Sequence, residues 1–249
     1  MRYNSVIARA KRRARASFAK LCWYRGLAKN VPCGWGFHGD KFVASLAHSL
    51  LVQSKAFIES GAGYGATAKH VGENYPFLRV YSCEIDQEKA ERAKRRCAPF
   101  PNVSIAHVES LRFFHELFNQ EPLLKTVPST FWLDAHSHSS GCPLLEEVRY
   151  LTSNLERGFI MIDDFKIPGR PQFAYERIGN KEISFDYIRT ALAEGKKYNV
   201  VYPRYSKKLV SPLLTVDALT GVCLIVFGMN QFSISDPLRD KFDVWTYAS

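Results

Sequence analysis

From Lys55 onward the chain alternates short apolar runs with stretches of helical period. The runs are rich in β-branched and aromatic residues and predict strands at Ala56 to Glu59, Arg79 to Glu84, Val103 to His107, Thr130 to Asp134 and Phe159 to Asp163. Between them, apolar positions recur three or four apart, which predicts helices at Thr67 to Tyr75, Gln87 to Cys97, Leu111 to Phe118 and Leu144 to Leu155. A further helix is expected at Phe185 to Lys196, then strands at Asn199 to Arg204 and Val222 to Phe227. No long helical pattern separates those last two strands, so they read as an antiparallel pair, with Val210 to Leu219 as a loop between them. Alternating strands and helices announce a mostly parallel, seven-stranded sheet covered by helices.

The first strand runs into a glycine-rich turn, Glu59-Ser-Gly-Ala-Gly-Tyr-Gly65, before the first of these helices. Glycine permits positive φ and close backbone approach, as a ligand lying across a strand-to-helix turn requires. A dinucleotide site spaces its glycines G-x-G-x-x-G, whereas Gly61, Gly63 and Gly65 are spaced G-x-G-x-G. Glu59 would repel a pyrophosphate but could accept a hydrogen bond from an ammonium group. The ligand end facing this turn is therefore expected to be cationic or zwitterionic.

The segment resembles the E/D-x-G-x-G-x-G first motif of class I S-adenosylmethionine-dependent methyltransferases. The resemblance implies a Rossmann-like α/β fold with helices on both faces of the sheet and an antiparallel last strand. It also implies that the turn holds the methionine part of S-adenosylmethionine. A second carboxylate is expected at the end of the second strand, on the ribose hydroxyls, and Glu84 stands there; Asp86 is read instead as the cap of the next helix. After the third strand, Val103-Ser-Ile-Ala-His-Val-Glu-Ser110 resembles the family segment beside the adenine, offering Glu109 and Ser110. The alternative is that Ser110 caps a helix and Glu109 is solvated.

The fourth strand ends Leu133-Asp134-Ala-His136 and the fifth ends Ile162-Asp163-Asp164, which places three carboxylates on neighbouring strand ends. Ligands gather at that edge of open α/β sheets, and clustered carboxylates call for a cation. This part is similar to metal-dependent O-methyltransferases acting on sugar or phenolic hydroxyls, including the macrocin type. By that resemblance Asp134, Asp163 and Asp164 would bind a divalent metal such as magnesium, and Asp134 or His136 would take the acceptor's proton. Strand-end capping by Asp134 and Asp163 is the structural alternative. The loop from Ser137 to Pro143 departs from the family, which leaves the acceptor unassigned.

Charge refines the picture. The net charge is +10, yet nine Lys and Arg precede the first acidic residue, Asp40, leaving about +1 for the rest. Residues 1–38 are therefore expected to form a basic helical arm on a domain spanning 39–249, with Ile7, Ala10, Ala14, Phe18 and Leu21 at helical spacing. Such an arm could meet nucleic acid or an anionic surface through residues 1–36, or be a solvated terminus. The six cysteines include no C-x-x-C pair, which argues against a zinc ribbon or disulfide scaffold, and His136, His138 and Cys142 lack the spacing of a zinc motif. No transmembrane segment or secretory signal is evident, so a cytoplasmic protein is expected.

Together these readings predict an O-methyltransferase for a small hydroxylated acceptor. The rivals are an RNA 2′-O-methyltransferase using Lys41, Asp134, Lys166 and Glu194, and an NAD(P)-dependent oxidoreductase.

Overall fold

The computed structural model describes residues 36–136, 141–206, 219–229 and 231–249. The basic arm up to residue 35, His138 and residues 210–218 lie outside them.

The five predicted parallel strands form β1 (Ala56–Ser60), β2 (Arg79–Glu84), β3 (Val103–His107), β4 (Thr130–Leu133) and β5 (Gly158–Ile162). Three more join them: β6 (Lys197–Pro203), β7 (Cys223–Phe227) and β8 (Phe242–Ala248). The order across the sheet is β8-β6-β7-β5-β4-β1-β2-β3. β7 runs antiparallel to both β5 and β6, and β8 antiparallel to β6. The sheet thus has eight strands instead of the seven expected. β8 escaped detection because it is an edge strand with few buried side chains: Val244 is 47% and Trp245 63% exposed, so the inside-outside alternation is blurred.

β1, β4, β5 and β7 are buried along their whole length, which explains their continuous apolar character. The crossover helices are α2 (Ala66–Asn74), α3 (Gln87–Cys97), α4 (Ser110–Gln120) and α5 (Leu144–Asn154). Strand order reverses at β1, and right-handed crossovers then put α2 and α3 on one face and α4 and α5 on the other.

Helix α1 (Lys41–Leu51) precedes the sheet and was not anticipated. Asp40 starts it, its carboxylate accepting from the Phe42 amide at 2.8 Å and the Val43 amide at 3.3 Å. The predicted helix at Phe185 to Lys196 shrinks to α6 (Phe185–Ile188) with one 3₁₀ turn, Arg189–Ala191. Tertiary bonds capture the backbone beyond: the Tyr198 hydroxyl donates to the Ala193 carbonyl at 2.9 Å, and the Ala193 amide donates to Thr152 Oγ1 at 3.1 Å. Among the described residues no helix is long and apolar enough to cross a membrane.

Parallel register brings the carboxyl ends of the strands level. Ser60 pairs with Cys83 on one side and Leu133 on the other, and Leu133 pairs with Ile162. Glu84, Asp134 and Asp163 therefore stand at or just beyond adjacent strand ends, beside the point where strand order reverses.

Candidate active site

The turn after β1 is fixed by its glycines. Gly61, Gly63 and Gly65 have φ of 81°, 52° and 73°, the left-handed region. Gly61 also lies so close to β4 that a β-carbon there would stand 2.3 Å from the Asp134 carbonyl oxygen. The amides of Gly61 and Ala62 both donate to the Cys83 carbonyl, at 3.0 and 2.8 Å, which ties the turn to β2.

Glu59 is buried, and Ser82 Oγ donates to its Oε2 at 2.5 Å. Burial pushes this carboxyl up to about 8 against the pull of that hydroxyl, and the charge of Glu84 adds to the rise. Glu84 is nearly buried and acts as a clasp. Its Oε2 accepts the Gly63 amide at 2.7 Å and its Oε1 the Asp86 amide at 3.0 Å. A carboxylate has about four lone-pair directions, so Glu84 retains accepting capacity for vicinal hydroxyls. Asp86 caps α3 through the Lys89 amide at 2.9 Å, as its position suggested.

Glu109, not Ser110, caps α4, accepting from the amides of Leu111 at 2.8 Å and Arg112 at 3.1 Å. The neighbouring Val108 amide donates to the Glu84 carbonyl at 3.1 Å, so this segment lies next to the end of β2. Ser110 is buried and faces a residue that escaped the sequence reading, Glu147 in the first turn of α5. Glu147 is fully buried with the Ser60 and Ser110 hydroxyls near its carboxyl, yet no well-formed hydrogen bond satisfies these groups. Burial pushes it up to about 7, with those two hydroxyls pulling down.

At the ends of β4 and β5 the structure gathers Asp134, Asp163 and Asp164. Asp163 is fully buried, and Asp134 is raised well above the carboxylate range by burial and then by the Asp163 charge. Asp164 has a φ of 49° and is raised to about 7, by burial and then by Asp163. Into this cluster projects His38, a residue with no sequence signature. Its Nε2 shares a short hydrogen bond with Asp163 Oδ2, and the Asp163 charge raises its pKa to about 10 against partial desolvation of a ring whose outer side stays exposed to solvent. Among the described residues, ligand atoms of His38, Asp134 and Asp163 lie within 4.8 Å of one another.

His136 sits beside the cluster, its Nε2 3.2 Å from the Asp163 carbonyl oxygen and its Nδ1 3.7 Å from Cys142 Sγ. Burial lowers its pKa, so the ring is neutral and donates from Nε2 to that carbonyl. Lys166 forms an ion pair with Glu182 and lies 5.6 Å from the Tyr175 ring centroid.

No protein-family model and no curated protein matches the sequence. Solved structures match at the level of fold. The O-methyltransferase from Bacillus cereus in complex with SAH is 14% identical with a TM-score of 0.53, over 84% of this chain and 90% of that one. The O-methyltransferase TomG from Streptomyces achromogenes, involved in tomaymycin synthesis and solved with SAM, is 14% identical with a TM-score of 0.51, over 73% of this chain and 76% of that one. Spermidine synthase from Thermotoga maritima is 16% identical with a TM-score of 0.50, over 82% of this chain and 64% of that one. By these matches, and by the strand order with its antiparallel β7, this chain has the Rossmann-like fold of the class I methyltransferases.

Proposed function

We propose that the chain is an S-adenosylmethionine-dependent methyltransferase that O-methylates a small hydroxylated acceptor, of the sugar or secondary-metabolite kind, with help from a divalent metal. One observation carries the reading. A carboxylate at the end of β2, Glu84, is clasped through Gly63 to the glycine turn after β1, and β4 and β5, which lead into Asp134 and Asp163, lie next in the sheet on the other side of β1. The first pair suits a nucleoside with vicinal hydroxyls and a charged amino-acid tail; the second suits the reacting hydroxyl.

In methyl transfer the acceptor oxygen attacks the methyl carbon while the carbon–sulfur bond breaks, and the hydroxyl proton must leave. Asp134, at the end of β4 beside Gly61, is the proton acceptor this geometry offers. His136 is less suited, because its two nitrogens face the Asp163 carbonyl and the Cys142 thiol. Asp163 Oδ1 is buried without a partner, and carboxylate oxygens suit a hard dication, so the residues present fit a metal held by Asp134 and Asp163 with Asp164 alongside. When bound, such an ion lowers the pKa of the acceptor hydroxyl and orients its oxygen.

The rivals lose support at particular residues. Lys166 pairs with Glu182, which leaves the Lys-Asp-Lys-Glu arrangement incomplete, and the Glu84 carboxylate bonded to the Gly63 amide would repel a pyrophosphate placed at the turn. Calorimetry with S-adenosylhomocysteine and NAD tests the reading: the former binds and the latter does not. A panel of hydroxylated acceptors with labelled S-adenosylmethionine then identifies the product. NAD uptake without S-adenosylhomocysteine uptake would refute it, and RNA labelling that requires residues 1–36 would transfer the chain to the RNA class.

A further inference from the structure

His38 has no role in the mechanism above, yet the structure holds it at a conformational cost. Phe37 and His38 have φ of 54° and 56°, a left-handed region that residues other than glycine adopt only under strain. Anchors on both sides impose this turn. Phe37 is 1% exposed and packs edge-on against Trp132, Phe57 and His70, with ring centroids 5.1, 6.2 and 5.9 Å away. On the other side, buried Asp40 caps α1 and accepts the Tyr205 hydroxyl at 2.7 Å. The strained turn between these anchors delivers the imidazole to the ends of β4 and β5. There, one atom each from His38, Asp134 and Asp163 comes within 4.8 Å of the others, and Asp163 keeps a buried oxygen, Oδ1, without a hydrogen-bond partner.

Building on the methyltransferase reading, we propose that His38 is a protein ligand of the metal, together with Asp134 and Asp163, and that the ion is a first-row transition dication such as Mn²⁺ or Zn²⁺ in preference to Mg²⁺. The chemistry of the donor set is the reason. Magnesium favours all-oxygen surroundings, whereas an imidazole beside two carboxylates suits manganese, iron, cobalt or zinc. The three ligands come from three separate elements: the turn before α1, the end of β4 and the end of β5. Among the described residues the converging ligand atoms are those of His38, Asp134 and Asp163, and Asp164 is not part of this set. Three protein ligands leave coordination positions open, as catalytic sites do.

The test is Mn²⁺ and Mg²⁺ binding to the full chain by calorimetry, together with pulsed EPR of the Mn²⁺-loaded protein. The wild type should bind Mn²⁺ at least tenfold more tightly than Mg²⁺, and its EPR should show ¹⁴N coupling from a directly bound imidazole. His38→Gln should lose that coupling and at least tenfold in Mn²⁺ affinity, while His136→Gln keeps both. S-adenosylhomocysteine binding by each variant establishes that it is folded, and the wild-type ¹⁴N signal together with His136→Gln decides the matter if His38→Gln does not fold. Mn²⁺ bound without ¹⁴N coupling, unchanged affinity in folded His38→Gln, or no Mn²⁺ uptake by a chain that binds S-adenosylhomocysteine would overturn the proposal and leave His38 as a cationic partner of Asp163. Failure of the wild type to bind S-adenosylhomocysteine would instead strike the underlying methyltransferase reading.

Discussion

Gly61 lies against the peptide of Asp134, so closely that an added β-carbon would stand 2.3 Å from the Asp134 carbonyl oxygen. The contact couples the cofactor turn to the strand end that carries the acceptor-side carboxylate. Gly61→Ala would meet this backbone collision in addition to a φ of 81°. At Gly63, by contrast, an added β-carbon meets nothing within 4 Å, and only a φ of 52° opposes it. Left-handed strain alone costs about 1–3 kcal/mol. Gly61→Ala should therefore lower the melting temperature clearly more than Gly63→Ala and weaken S-adenosylhomocysteine binding. Equal losses in thermal denaturation would show that the contact is not tight in solution.

The clasp formed by Glu84 should be decisive for affinity. Glu84→Ala removes the acceptor of the Gly63 amide and the carboxylate offered to the ribose. Hydrogen bonds to a charged group contribute about 1.5–3 kcal/mol, so calorimetry should show S-adenosylhomocysteine binding weakened roughly tenfold to a hundredfold. An unchanged dissociation constant would remove Glu84 from the nucleoside site.

Glu147 should make stability depend on pH. Its folded value is about 7, above the ordinary 4.5, so the folded state holds a proton that the unfolded chain releases earlier. The stabilising effect of that proton is complete below about pH 4.5 and is lost as pH rises to about 7. Glu147→Gln, neutral at every pH, should gain on the wild type over that interval, by about 3 kcal/mol at pH 8 as an order of magnitude. Urea unfolding of both proteins from pH 4 to pH 8 checks it; parallel curves would mean that the carboxyl is ionised in the folded chain.

Lys166 separates the rival chemistries. It pairs with Glu182 at a partly exposed position, where ion pairs contribute about 0–1 kcal/mol. Lys166→Met should change stability little and reduce methyl transfer less than about threefold, because a group outside the reacting centre contributes little to the barrier. A loss of several hundredfold would place the lysine at the reacting centre.

Local sequence determined the parts of this protein whose physics is local. Strands β1, β4 and β5 were legible because strands buried on both faces must be apolar throughout, and the turn was legible because only glycine accepts its backbone angles without strain. Asp86 was readable as a cap, since capping acts over three residues. Tertiary structure decided what depends on distant partners. His38 reaches Asp163 across 125 residues, and no periodicity records that meeting. Glu147 looks like an ordinary exposed helix glutamate until α5 packs its first turn against Ser60 and Ser110. Bonds from Thr152 and Tyr198 shortened the helix at Phe185, and pairing along β6 made a strand of the weakly patterned Phe242–Ala248. Burial of charge and long-range hydrogen bonds are properties of the assembled sheet, which is why they appear only once it has formed.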